Sequence, residues 1–490
     1  MDLTSLRDVA ERALSLVPAD VAYADVRVVN RRHEGIHVEN GLPGQVIDAE
    51  TEGVALRVLV HGQWGFAATS HLDRAGVDQA LERAVQQARA ARGLGPQARL
   101  APVVPARASY ATPVARDPFA VPVEEKLRLL VAASEAMLAE GGAAIRAAEA
   151  SVDAFRESKI FASTEGTLVE QVLTETGGGL MATAADADDV QRRTYPHGVP
   201  RAIKGQRGDF ATAGWEHVEA LDLLAHAGRV GAEAAALLVA PECPAGTTSV
   251  VISGTQMAYV VHETVGHPAE LDRALGSEAS LAGGSYMQPE LRGRLRFGPE
   301  FVNLTADATL DGALGSFAYD DEGVPAQRTP IIRDGLFVGY LTSRESAGAI
   351  GEESTGAARA DGWQRIPLVR MPNVSLEPGT VPFDELIGTT DDGIYVDANR
   401  SLSIDDTRRA FRFGSEVGWE IKKGKRGRML KNCTFSGRTL EFWAGCDAIG
   451  DAASWQVYGI PSCNKGEPLQ VAHIGHGTAP TRFRNVSVGV

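Results

Sequence analysis

Two stretches of this chain place histidines around a glutamate at spacings that metal chemistry uses. The first is His33-Glu34-Gly35-Ile36-His37, which fits H-E-x-x-H. That string makes a zinc site only on a helix, where residues i and i+4 share one face. Its neighbours argue for a strand. Val26, Val28, Ile36 and Val38 recur at every second position, and Asn40-Gly41 closes the run as a turn. On a strand rising ~3.3 Å per residue, i and i+4 lie ~13 Å apart. Zn–N bonds of about 2.0–2.1 Å cannot span that gap. The string is therefore read as a polar strand face, on which Glu34→Gln should change stability by less than about 0.5 kcal/mol.

The second stretch is His262-Glu263-Thr264-Val265-Gly266-His267, or H-E-x-x-x-H. It follows a buried-strand run, Thr247 to Ser253, and an apolar segment containing Met257, Tyr259, Val260 and Val261. Two histidines and a glutamate are costly to bury without a use. On an ideal helix, i and i+5 point about 140° apart. One extra residue in the turn, a π-bulge, would bring them together. Gly266 tolerates such a distortion, and Pro268 weakens the helical ladder after it. A hydrolytic centre needs a third protein ligand and an open position. Glu270, Cys433, Cys446, Cys463, His473 and His476 are the candidates, and Cys463 stands in a turn-rich loop, GIPSCNKG.

Other signals are weaker. Asp320-Asp321-Glu322-Gly323 is an acidic turn, either solvated or the wall of a substrate cleft, with Asp321 and Glu322 as the candidate substrate contacts. Lys422, Lys423, Lys425, Arg426, Arg428 and Lys431, with Gly424 and Gly427, read as a hairpin turn more readily than as a contact for a peptide carboxylate or nucleic acid. No G-x-S-x-G elbow, P-loop or G-x-G-x-x-G is present.

The elements that must carry these residues follow from periodicity. Residues 3–17 have helical spacing. Residues 22–70 alternate as strands. Helices follow at 73–93 and, after a Pro-rich stretch at 101–122, at 123–140. Three strand-like runs cover 144–184, and a polar loop covers 186–215. Helices are expected at 217–240 and 255–275. From 295 onward the chain is strand-rich, with a hairpin from Thr329 to Leu341 that turns at Asp334-Gly335. The expected fold class is α+β: an N-terminal mixed α/β domain (1–220), then a β-rich C-terminal domain (221–490) that carries the metal-site helix.

The 490 residues are 44% hydrophobic and 23% charged, values that support folded domains. Lys plus Arg is 48 and Asp plus Glu is 63, a formal charge of −15. That balance disfavours direct binding to nucleic acid or to an anionic membrane. The start, MDLTSLRDVAERAL, lacks the apolar core of a secretory signal, and no apolar run approaches the ~20 residues that span a bilayer. Four cysteines form no disulfide framework. The expectation is a cytoplasmic protein with reduced thiols.

Taken together, the motifs resemble the TldD–PmbA family, also called the modulator of DNA gyrase family. The resemblance runs through Gly53 to Val58 and Gln63 to Ala67. It continues through His262 to Glu270, Tyr319 to Ala326, Arg370 to Asn373, Cys463 to Gly466 and Val486 to Gly489. It implies an α/β domain and a β-rich domain that dimerise around a chamber. It also implies metal ligands at His262, His267 and Cys463, with Glu263 as the catalytic acid/base. The implied cofactor is one Zn²⁺ per active subunit, with iron not excluded, and the implied substrates are short or unfolded peptides. The implied partner is a second copy or a PmbA/TldE-like paralogue that lacks the ligands. Asn464 departs from the glycine that the family places after the cysteine. The alternative reading is a non-enzymatic peptide- or protein-binding regulator, for which a metal centre would have no use.

Overall fold

The computed structural model describes residues 3–198, 208–278 and 283–489. Part of the loop expected at 186–215, and part of the segment after the metal helix, lie outside those residues. The chain begins with α1 (Leu3–Ser15), β1 (Tyr23–Glu39), β2 (Leu42–Val60), β3 (Gln63–Thr69) and α2 (Arg74–Ala90). It continues with β4 (Arg107–Ala111), α3 (Val123–Gly141), β5 (Ile145–Ser163) and β6 (Leu168–Ala185). Where a loop was expected, two short strands appear, β7 (Val190–Tyr195) and β8 (Asp209–Ala211). The helices α4 (Trp215–Leu221) and α5 (Leu223–Val239) follow, broken at Asp222 in a left-handed conformation.

The first sheet has the order β3-β2-β1-β5-β6-β4, with β7 and β8 also pairing with β6. Only two long strands, not three runs, fill the region 144–184. Gly177-Gly178-Gly179 lies inside β6. A Cβ on Gly177 would come 2.3 Å from the Phe210 ring, and one on Gly179 would come 2.5 Å from the Gly208 Cα. These glycines are there for close backbone approach.

The two faces of this sheet differ in chemistry because side chains alternate along a strand. Val26, Val28, Ile36 and Val38 of β1 pack beneath helices, the first pair with α1 and α2 and the second pair with α3, α4 and α5. The opposite face is polar and meets the C-terminal half. Arg27 donates to the carbonyls of Gly362 and Arg365, and Arg31 pairs with Asp361. The helix α5 lies beyond the expected boundary at 220, yet it packs on α3 and β7.

The C-terminal half starts with β9 (Gly246–Ile252) and α6 (Gly254–Val261). In its main sheet β9 lies between strands 392–404 and 481–488. Strand 481–488 pairs with 434–438, which pairs with 410–422, and 410–422 pairs back to 392–404. These five strands therefore close into a ring, which removes exposed edges. The fold is α+β with a β-rich C-terminal region. The expected hairpin turns at Asp334-Gly335, both with positive φ (50° and 70°), as a two-residue turn of this kind requires. The basic run is likewise a hairpin, turning at Lys423-Gly424. Among the described residues, no helix is long and apolar enough to cross a membrane.

The H-E-x-x-H string lies on β1, where the alternation placed it. His33 bonds Asp153 and His37 bonds Glu149, both on β5. The expectation for Glu34 is corrected. Alternation turns it to the helix-covered face, where it is buried and ion-paired with the buried Lys126 of α3. Lys126 also donates to the Pro118 carbonyl at 2.6 Å. Removing one partner of a buried pair strands the other charge. Glu34→Gln should therefore cost about 3 kcal/mol in urea unfolding, and Glu34→Gln/Lys126→Met should recover much of it. A change below about 0.5 kcal/mol in the single variant would show that the pair carries no weight.

Candidate metal centre

The helix α6 begins at Ser253, whose hydroxyl accepts the Gln256 N–H at 3.2 Å. All its residues from Gln256 to Val261 are buried. Past Val261 the helix widens into one π turn, His262–Gly266. The His267 N–H donates to the His262 carbonyl at 3.1 Å, an i+5→i bond. This extra residue places the two imidazoles beside each other, with centroids 4.7 Å apart. Neighbours fix the turn. The Tyr286 hydroxyl donates to the Thr264 carbonyl at 2.6 Å, and the Trp443 indole donates to the Thr264 hydroxyl at 3.0 Å. Gly266 lies against Met371, whose sulfur would be 2.0 Å from any Cβ there.

Cys463 arrives from the strand 456–465, paired with 470–478. Its sulfur lies 3.7 Å from His267 Nε2. Donor atoms of His262, His267 and Cys463 all fall within 4.8 Å of one another, and all three residues are buried. Tetrahedral coordination at ~2.0–2.3 Å puts ligand atoms roughly 3.3–3.8 Å apart, so the sulfur–nitrogen spacing suits zinc. Asn464 leaves the strand regular, paired with Val471.

Hydrogen bonds set both tautomers. His476 Nδ1 lies 2.7 Å from the Val374 carbonyl, which can only accept, so that nitrogen carries the proton. His476 Nε2 then accepts from His262 Nδ1 at 3.0 Å. His267 Nδ1 donates to Glu270 at 3.1 Å. Each ligand histidine is left with a bare Nε2, and such outer partners orient and strengthen metal ligands. Burial pushes the His262 pKa down to about 4, which keeps it neutral at ordinary pH. Burial raises the Cys463 thiol, but Arg370 and His267 outweigh it and bring the pKa below the usual value. The donor set therefore fits a borderline-soft divalent metal.

Glu263 stands at the rim, its side chain 11% exposed. Burial would raise its pKa, but Arg408 and the two histidines outweigh burial and hold it at about 2. Arg408 Nη1 donates to Glu263 Oε2.

The remaining candidates are elsewhere or act indirectly. Glu270 is bound by His267, Arg273 and Lys465 and supports the centre from behind. His473 pairs with Glu175. Cys433 and Cys446 are buried away from the group. Asp321 and Glu322 are each 3% exposed. Asp321 pairs with Lys159 of β5 at 2.7 Å and borders a cavity of about 60 Å³. Glu322 pairs with Arg57 of β2 at 3.0 Å. Both tie the C-terminal half to the first sheet. Sequence reading overlooked Arg408, 145 positions from Glu263, and did not foresee the tautomer-setting role of His476. Neither residue sits at a spacing that signals its role.

Comparison with known proteins identifies the family. Profiles described as PmbA/TldA metallopeptidase domain 1, central domain and C-terminal domain match residues 24–91, 116–240 and 245–489. The chain belongs to the PmbA/TldD metallopeptidase family. A protein named metalloprotease from Methanothermobacter thermautotrophicus is 31% identical over 96% of each chain. A Saccharolobus solfataricus protein named zinc metalloprotease TldD homolog is 28% identical over 47% of this chain and 49% of its own. Among solved structures, a proposed DNA gyrase modulator from Thermotoga maritima superposes with TM-score 0.77 at 18% identity, covering 98% of this chain and 99% of its own. TldE from Thermococcus kodakarensis gives 0.70 at 16% identity, with 99% of each covered. The PmbA/TldD family name thus rests on whole-chain similarity, and the structural likeness adds the fold.

Within this family member, His476→Phe should weaken zinc binding about 10–100-fold, measured by competition with a chromophoric chelator. Unchanged affinity would remove His476 from the support of His262.

Proposed function

We propose that this chain is a zinc-dependent peptidase that cleaves short or unfolded peptides. The observation that carries the reading is the convergence of His262, His267 and Cys463 beside Glu263. When bound there, zinc would supply Lewis acidity and lower the pKa of water toward 7. The chain's own residues do the rest. Arg408 holds Glu263 Oε2, and Oε1 is the atom assigned to take a proton from the attacking water. The same carboxyl then returns that proton to the leaving amine. The burial of the ligands keeps bulk water out, and only a narrow, extended chain suits so enclosed a centre. Asp321 and Glu322 are assigned to holding the two halves around it.

The active assembly is proposed to be a dimer, with a second copy or a TldE-like paralogue, in the cytoplasm. The structural likeness to TldE from Thermococcus kodakarensis supports the second partner. Light scattering that shows only monomer at all concentrations, with and without the paralogue, would remove the dimer.

Cys463→Ala should strip most of the metal, read by elemental analysis of the purified protein. Glu263→Gln should keep the metal while peptide cleavage falls roughly 10²–10⁴-fold. Retention of a full metal equivalent in the first variant, or near-normal cleavage in the second, would overturn the assignment.

A further inference from the structure

The strands 392–404 and 410–422 are joined by a short loop that feeds one arginine into the centre. The loop is firmly held. Asp405 accepts the Ala410 N–H at 2.8 Å and the Thr407 hydroxyl at 2.7 Å. The Thr439 hydroxyl donates to the Arg408 carbonyl at 2.7 Å, and the Arg408 N–H donates to the Asp405 carbonyl at 2.9 Å. Arg408 itself is left-handed, with φ +61°, and 3% exposed. Among the described residues, Glu263 is the acceptor its guanidinium meets, and its Nε is buried without a partner. An incompletely satisfied buried guanidinium on a sparsely populated backbone conformation is costly. The ion pair with Glu263 indicates what the cost maintains.

Glu263 directly follows His262 on the π turn and stands outside the donor group of His262, His267 and Cys463. Carboxylate oxygens are themselves good zinc ligands, and four protein ligands make a closed, structural site. A hydrolytic centre must prevent that closure. We propose that Arg408 is a positioning residue that holds Glu263 through Oε2 and keeps it from closing the His262–His267–Cys463 centre as a fourth ligand. This rests on the metal reading above. The distinction between an open and a closed site then depends on one ion pair reaching across from a distant loop.

The test uses the full chain loaded with Co²⁺, whose visible absorption reports coordination, and azide as a probe for an open position. The wild-type spectrum should shift on adding azide. Arg408→Ala and Arg408→Gln should bind a full equivalent of cobalt, show an altered spectrum and lose the azide response. Their kcat on a short peptide should fall by roughly 10²-fold, with KM changed far less. Arg408→Lys, which keeps a cation on Oε2, should preserve the azide response. Glu263→Gln/Arg408→Ala should regain the response while turnover stays lost, because the amide is a poor zinc ligand. An azide response in Arg408→Ala and Arg408→Gln equal to wild type overturns the inference alone. No cobalt bound by the wild-type chain overturns the metal reading, and this inference with it.

Discussion

A single hydrogen bond, from the His267 N–H to the His262 carbonyl, is the constraint on which the centre depends. It replaces an α-helical bond with an i+5→i bond and so adds one residue to the turn. Without it, the two histidines would diverge by about 140° on a regular helix. The widening also moves the chain toward Met371, where only a glycine fits, and it leaves the Thr264 carbonyl for the Tyr286 hydroxyl. Strain at the turn, the packing around it and the facing of both rings are therefore one arrangement.

The centre is completed by partners that arrive from far along the chain. Cys463 and His476 come from the two strands of one hairpin, so a single pairing register delivers a sulfur to one histidine and a tautomer-setting acceptor to the other. Lys465, two residues past Cys463, joins Asp272 and Glu270 behind His267. That buried cation allows Glu270 to stay ionised and to accept from His267 despite its burial.

Much of the rest of the molecule holds the two halves together. The polar face of the first sheet is not a solvent face. Its arginines and lysine are matched by Asp361, Asp321 and Glu322 from the C-terminal half. Such an interface is directional, because each buried charge must find its own partner. The acidic turn takes part in that fastening, and Asp321 also borders a cavity.

Local pattern decided what local physics can decide. The alternation around Ile36 and Val38 was enough to keep His33 and His37 from sharing one metal ion, because strand geometry alone separates them. The spacing of His262 and His267, with Gly266 and Pro268 beside it, marked a π turn as the way for the two rings to meet. Turn chemistry at Asp334-Gly335 and Lys423-Gly424 set two hairpins, since few residues accept positive φ. The choice of Cys463 among several candidate donors needed the family resemblance, because nothing in its spacing from His267 expresses distance in space. Tertiary structure alone decided the rest. It paired Glu34 with Lys126 across a helix layer, packed Gly177 and Gly179 against Phe210 and Gly208, and sent Arg408 to Glu263. Each of these depends on which elements pack together, and contacts between residues remote in sequence leave no periodic trace in the chain that makes them.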